Sequence, residues 1–145
     1  MLKKFVPKRN YNDSIHIAQI SMFLKNGNFE KATVALKKST LEIDSFRDSI
    51  NIGANKLYSK NKFHVLLKFI YLFNVDLPYS KITLLRDLLK HNDLSGFLGN
   101  AYRLHIYQEL ELEINGAIQK LVESQQITQV EAKQWQRKFI EMPNK

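Results

Sequence analysis

Residues Phe63–Phe73 read FHVLLKFIYLF, and little else in the chain limits the fold so strongly. Nine of the eleven are apolar, and the two exceptions, His64 and Lys68, lie four apart. On a helix that spacing puts both polar side chains on one stripe and leaves the rest of the circumference hydrophobic. Such a helix is one that others pack around, so it is expected at the centre of the fold. It falls well short of the roughly 20 apolar residues that span a bilayer, so no membrane partner is expected. The His64–Lys68 stripe reads as the side on which this helix meets water, the lysine stem lying over apolar neighbours.

The flanking sequence reads as helices joined by short turns. Residues 1–10 form a basic, flexible arm, and residues 11–145 a single helical domain. Asn12 or Asp13 caps a first helix running to about Lys25, and Gly27 supplies a left-handed stop. A second helix runs from Phe29 to about Lys38. Ser39 and Glu42 have capping-box spacing and open a third, to about Tyr58, in which Gly53 would let a neighbouring helix approach closely. Pro78 ends the central helix, because the residue before proline avoids helical geometry. Ser80 starts a short fifth helix, and Asn92–Asp93 caps the sixth and longest, Leu94–Glu123. Thr128 and Glu131 form a second capping box opening the last helix, with Trp135 and Phe139 turned inward. No segment alternates as a strand does. The fold class expected is therefore all-α, a compact bundle of about seven helices built from stacked antiparallel hairpins. The first hairpin, AQISMFLKNGNFEKATVALKK, resembles one tetratricopeptide-type unit in cadence, although no repeat of about 34 residues recurs. That resemblance implies helical-hairpin architecture and no particular activity.

Charge is the second informative feature. The formal net charge is +8 and it is patchy: residues 1–10 carry Lys3, Lys4, Lys8 and Arg9, and residues 56–68 carry Lys56, Lys60, Lys62 and Lys68, with no acid in either stretch. Residues 109–113, ELELE, are locally acidic; they read as a solvated face whose repulsion a basic neighbour, in this chain or a second copy, would ease. If the hairpins stack in one sense, their turns share an edge that collects Lys25, Lys31, Lys56, Lys60, Lys62 and Lys90. Lysines gather at turns simply because turns are wet; gathered on one edge, they would also form an anion-binding rim. The partner expected is a nucleic acid, RNA ahead of DNA, or an acidic protein. Absence of cysteine excludes disulfides and thiolate sites and suits a reducing cytoplasm, the expected location. The basic N-terminus lacks the apolar run of a secretory signal. No phosphate loop, HExxH, GxSxG or metal-ligand spacing is present, so neither cofactor nor metal is expected.

One constellation carries chemistry. In Leu85-Arg86-Asp87-Leu88-Leu89-Lys90-His91, an arginine and a histidine stand five apart before the long sixth helix. This resembles the R-x4-H signature of HEPN-type ribonucleases, which are all-helical domains of similar size. The resemblance covers about forty residues, and Asn92–Asp93 stands where toxin members often carry a tyrosine. It implies metal-independent RNA cleavage, with Arg86 neutralising phosphate charge and His91 serving as acid or base, in a centre often completed across a homodimer. The leading expectation is a non-enzymatic binding module. The ribonuclease, possible as a toxin-type enzyme, is the alternative, and a helical-hairpin chaperone or assembly factor is the third.

Overall fold

The computed structural model describes residues 5–142, with side chains from Ser14 onward, and every regular element in that span is helical. Lys3 and Lys4 of the expected arm, and the side chains of Lys8 and Arg9, lie outside the described residues. Two compact units divide the chain, Met1–Pro78 and Tyr79–Lys145.

The first unit begins with α1, Phe5–Lys25, which opens earlier than the Asn12 or Asp13 cap suggested. Pro7 falls in its first turn, where a missing N–H costs no helical hydrogen bond. Then follow α2 (Phe29–Lys37), a 3-10 turn (Ile43–Phe46), α3 (Arg47–Ser59) and α4 (Phe63–Phe73). Helix α1 packs on both α2 and α3, and α4 packs on α3 and α2. Gly53 makes the α1–α3 crossing possible. A Cβ there would overlap the Leu24 carbonyl oxygen and come within 2.7 Å of the Phe29 ring, so the backbone of α1 lies directly on α3. Ile20, Leu24, Phe29, Phe46, Ile50 and Ala54 are buried around it. Helix α4 covers the apolar run Phe63–Phe73, but it is ended by a left-handed Asn74, φ 49°, and not by Pro78 as expected. It buries Phe63, Leu66, Leu67, Phe69 and Ile70, while His64 and Lys68 are exposed. Phe69 stacks obliquely between Phe29 and Phe73, with ring centroids 4.6 and 4.8 Å away. Beyond α4, the Arg47 guanidinium donates to the Asp76 carbonyl at 2.7 Å and fastens the outgoing chain to the start of α3.

The Ser39–Glu42 capping box does not form. Ser39 Oγ instead donates to the Leu36 carbonyl and accepts from Leu41 N–H, closing α2, and α3 starts only after the 3-10 turn. A serine just past a helix end satisfies an orphan carbonyl with its own hydroxyl, and that local bond takes precedence over a new helix start.

The second unit contains α5 (Lys81–Lys90), α6 (Leu94–Arg103), a 3-10 turn (Gln108–Leu110), α7 (Glu111–Glu123) and α8 (Gln129–Ile140). Each helix packs on the next. Three expected caps are present: Ser80 accepts from Thr83 N–H, Asp93 from Gly96 N–H, and Thr128 and Glu131 form the full capping box. The expected long helix Leu94–Glu123 is broken in two, which raises the helix number from the expected seven to eight among the described residues. The break lies at His105, with φ of 59°. Its N–H bonds to Tyr102 O at 3.1 Å and the next, of Ile106, bonds to Ala101 O at 2.9 Å. This is a Schellman stop, and burial of Ile106 just past the helix end holds it in place.

The same device recurs. Gly27, Asn61, Asn92 and Gln125 are also left-handed, and the residue after each donates back to Phe23, Leu57, Leu88 and Leu121 respectively, at 2.8–2.9 Å. Helices here end by local bonding, with the chain reversing at once.

Gly53→Ala is expected to destabilise the fold by about 3 kcal/mol, because a well-packed crossing has no room for a methyl group. Gly99→Ala, with open space around the added Cβ, is expected to stabilise by about 0.5–1 kcal/mol through helix propensity. Urea unfolding of the two variants checks both signs. His105→Gly relieves a left-handed backbone and is expected to raise stability by about 1 kcal/mol in the same assay.

Candidate functional site

The turns of the first unit bring most of the expected basic residues to one end. Helix α1 crosses α3 at its middle, Gly53, and ends against Leu57, so the α1–α2 turn lies beside the α3–α4 turn. A Cβ on Gly27 would sit 3.5 Å from the Leu57 side chain. The Leu57 carbonyl in turn accepts from the Lys60 and Lys62 amides at 3.1 and 2.9 Å. One residue, Leu57, therefore holds both turns. Lys25 and Lys31 flank the first turn and Lys56, Lys60 and Lys62 line the second, all five exposed. Among the described residues none of the five ammonium groups lies in an ion pair. Within positions 25–31 and 56–62 the single acid is Glu30, in the first turn of α2.

Helix dipoles divide these lysines into two kinds. Lys25 and Lys56 occupy the last turns of α1 and α3, where a cation stabilises the helix. Lys62 is the N-cap of α4 and Lys31 lies in the first turn of α2. There the helix end is already positive, although at α2 the Lys31 N–H donates to Asn28 Oδ1 at 3.2 Å, and each cation costs about 0.3–1 kcal/mol. A wet turn accounts for the first kind and leaves the second unexplained.

Lys90 does not join them. It belongs to the second unit, at the end of α5, with its Nζ 3.9 Å from the buried Asp87 carboxylate. Arg86 and His91 lie in that unit too. Arg86 Nε and Nη2 both reach Glu113 Oε2 at 3.2 Å, clipping α5 to α7. His91 is the exposed C-cap of α5, its N–H bonded to the Asp87 carbonyl at 3.1 Å. Five residues at about 100° each put the two side chains about 140° apart around the helix axis. The guanidinium is thus committed to a carboxylate, the competitor of any phosphate. Glu113 finds in Arg86 the basic neighbour that the acidic stretch called for, while Glu109 and Glu111 remain exposed. Among the described residues no group of three or more His, Asp or Glu is placed to hold a metal ion. Nor is any described helix long and apolar enough to cross a membrane.

Two features escape sequence reading. A cleft of about 550 Å³ runs between α1 and α2, with Ile20, Phe23 and Val34 as its floor and Lys31 and Lys38 among its polar lining. The Lys31 ammonium stands 5.9 Å over the Phe23 ring. In the second unit Trp135 is half-buried rather than turned fully inward, and it forms an aromatic group with Tyr102, Tyr107 and Phe139. Spacing along α8 reveals Trp135 and Phe139, but Tyr102 comes from another helix, and no local pattern announces it.

Comparison of the chain with protein-family models, with curated proteins and with solved structures found no match. The functional reading therefore rests on geometry.

The Arg86–Glu113 clip spans two partly exposed side chains, so a double-mutant cycle with Arg86→Ala and Glu113→Ala is expected to give a coupling of about 0.2–1 kcal/mol.

Proposed function

We propose that this chain is a binding module whose ligand is the phosphate backbone of a nucleic acid, RNA ahead of DNA. The observation that supports it is the pair Lys31 and Lys62. Both stand at helix N-termini, on one end of the first unit, without carboxylate partners among the described residues. Folding gains no ion pair from cations there, and from Lys31 a weak contact with the Phe23 ring; a polyanion gains from both. Amides at the two helix starts and lysines around them present the same sign of charge to the same ligand. With Lys25, Lys56 and Lys60 the end carries five ammonium groups, a density suited to counterion release from a phosphate chain. Arg86 and His91 serve structure in this reading, the first as a helix clip and the second as a helix end. Ribonuclease activity through them would require Arg86 to leave Glu113 for the scissile phosphate. An acidic protein surface is the other polyanion such an end would accept.

Fluorescence anisotropy with a labelled single-stranded RNA at several salt concentrations tests the proposal. The combined variant Lys56→Gln, Lys60→Gln, Lys62→Gln is expected to bind at least about tenfold more weakly. Its slope of log affinity against log salt should be shallower by about 2, at roughly 0.7 per lost phosphate contact. RNA affinity that the triple variant leaves unchanged would refute it. So would displacement of no RNA but capture of polyglutamate, which would assign the end to acidic proteins. Shortened RNA whose appearance depends on His91 would restore the nuclease.

A further inference from the structure

We infer that the second unit carries a stacking platform for unpaired nucleobases, built from Tyr102 and Trp135 and served by Lys138. The inference rests on the reading that the chain binds nucleic acid, and it specifies the form bound, single-stranded rather than duplex. Helix α8 sets Trp135, Lys138 and Phe139 at i, i+3 and i+4, on one side. Phe139 is buried and anchors the group. Trp135 stacks on it with ring centroids 5.8 Å apart and planes 25° apart, while Tyr107 stacks on it at 5.7 Å and 23°. Tyr102, at the end of α6, meets Trp135 and Phe139 edge-on at 82° and 89°. The rings are therefore fixed by one another, and a base arriving on them would find a rigid surface.

The position of Lys138 shows that this surface is open. Its ammonium lies 5.2 Å from the Trp135 centroid and 6.0 Å from that of Tyr102. Lys138 is exposed, Trp135 half-buried and Tyr102 40% exposed, so the rings are reached from solvent once the lysine side chain swings aside. A cation over an aromatic face is the arrangement that a base and its phosphate can take over, the base on the ring and the ammonium on the phosphate. The acids of α8 interfere little: Glu131 is used in the capping box, and Glu141 lies beyond the last turn. Bases inside a duplex are stacked on each other and hide their faces, so this platform takes only unpaired ones.

Trp135 is the sole tryptophan of the chain, which makes it its own reporter. The full-length protein is titrated with oligouridylate, oligothymidylate and a blunt RNA duplex while its emission is followed. Both single strands are expected to quench the emission to saturation, and the duplex to leave it unchanged. Measured by anisotropy of a labelled oligouridylate, which needs no tryptophan, Tyr102→Ala and Trp135→Leu are expected to weaken binding by about five- to a hundredfold without altering its salt slope, because stacking releases no counterions. Trp135→Phe, which keeps a ring, should restore most of the affinity and guards against a folding defect in the leucine variant. Salt-dependent binding of single strands with unchanged emission, or with indifference to Tyr102→Ala, would overturn the platform and leave the lysine-rich end standing. Absence of any nucleic-acid binding would overturn both.

Discussion

The first unit depends on a contact between a backbone and a missing side chain. At Gly53 the carbonyl of Leu24 occupies the volume that any other residue would fill. That contact sets how far α1 travels along α3, and with it where α1 ends. Because α1 ends there, Gly27 lands on Leu57 and the α1–α2 turn comes level with the α3–α4 turn. The aromatic contact between Phe29 and Phe69 follows from the same registration, since Phe29 starts the helix that leaves that turn. A bulkier crossing would slide the helices and separate the turns, and the lysines with them.

Where a residue acts through its neighbours in sequence, the chain was readable. The apolar run of α4, the caps at Ser80, Asp93 and Thr128, and the stop at Gly27 all come from local hydrogen bonding and hydrophobic spacing. The close approach at Gly53 was suggested by a glycine inside a helical pattern. Where a distant residue decides, the reading failed. Histidine takes a left-handed backbone more often than most residues, yet too seldom to mark a helix break by itself; the break answers to the burial of Ile106. Ser39 and Glu42 match a capping box in spacing, yet the serine is taken by the helix behind it. Five of the six expected basic residues share one unit, and Lys90 falls in the other, because relative placement of turns is a tertiary property. The Tyr102–Trp135 contact is tertiary for the same reason.

Electrostatics separates the residues that serve the fold from those that do not. Arg86 and Glu113 satisfy each other, as do Arg47 and Asp44 at the start of α3. Lys25 and Lys56 answer the negative ends of their helices. Lys31 and Lys62 meet no carboxylate among the described residues, Lys31 lying over the Phe23 ring instead, and they oppose the dipoles of the helices they begin. A charge that lowers stability and yet stands beside four of its own sign is best understood through something outside the molecule.

The left-handed stops that end these helices have a consequence for recognition. Each turn is closed by two backbone bonds and spends no residue on a slack loop, so the Cα positions of Lys25, Lys60 and Lys62 are set before any ligand arrives. What remains free is the lysine side chain, four carbons long, and its ordering costs about 0.5–1.5 kcal/mol per residue. Backbone ordering adds nothing to that cost. A rigid frame bearing supple cations follows a phosphate chain through small changes of course without refolding, and it would hold many sequences about equally well. Tight reversals in the backbone thereby favour breadth of ligand over choice among ligands.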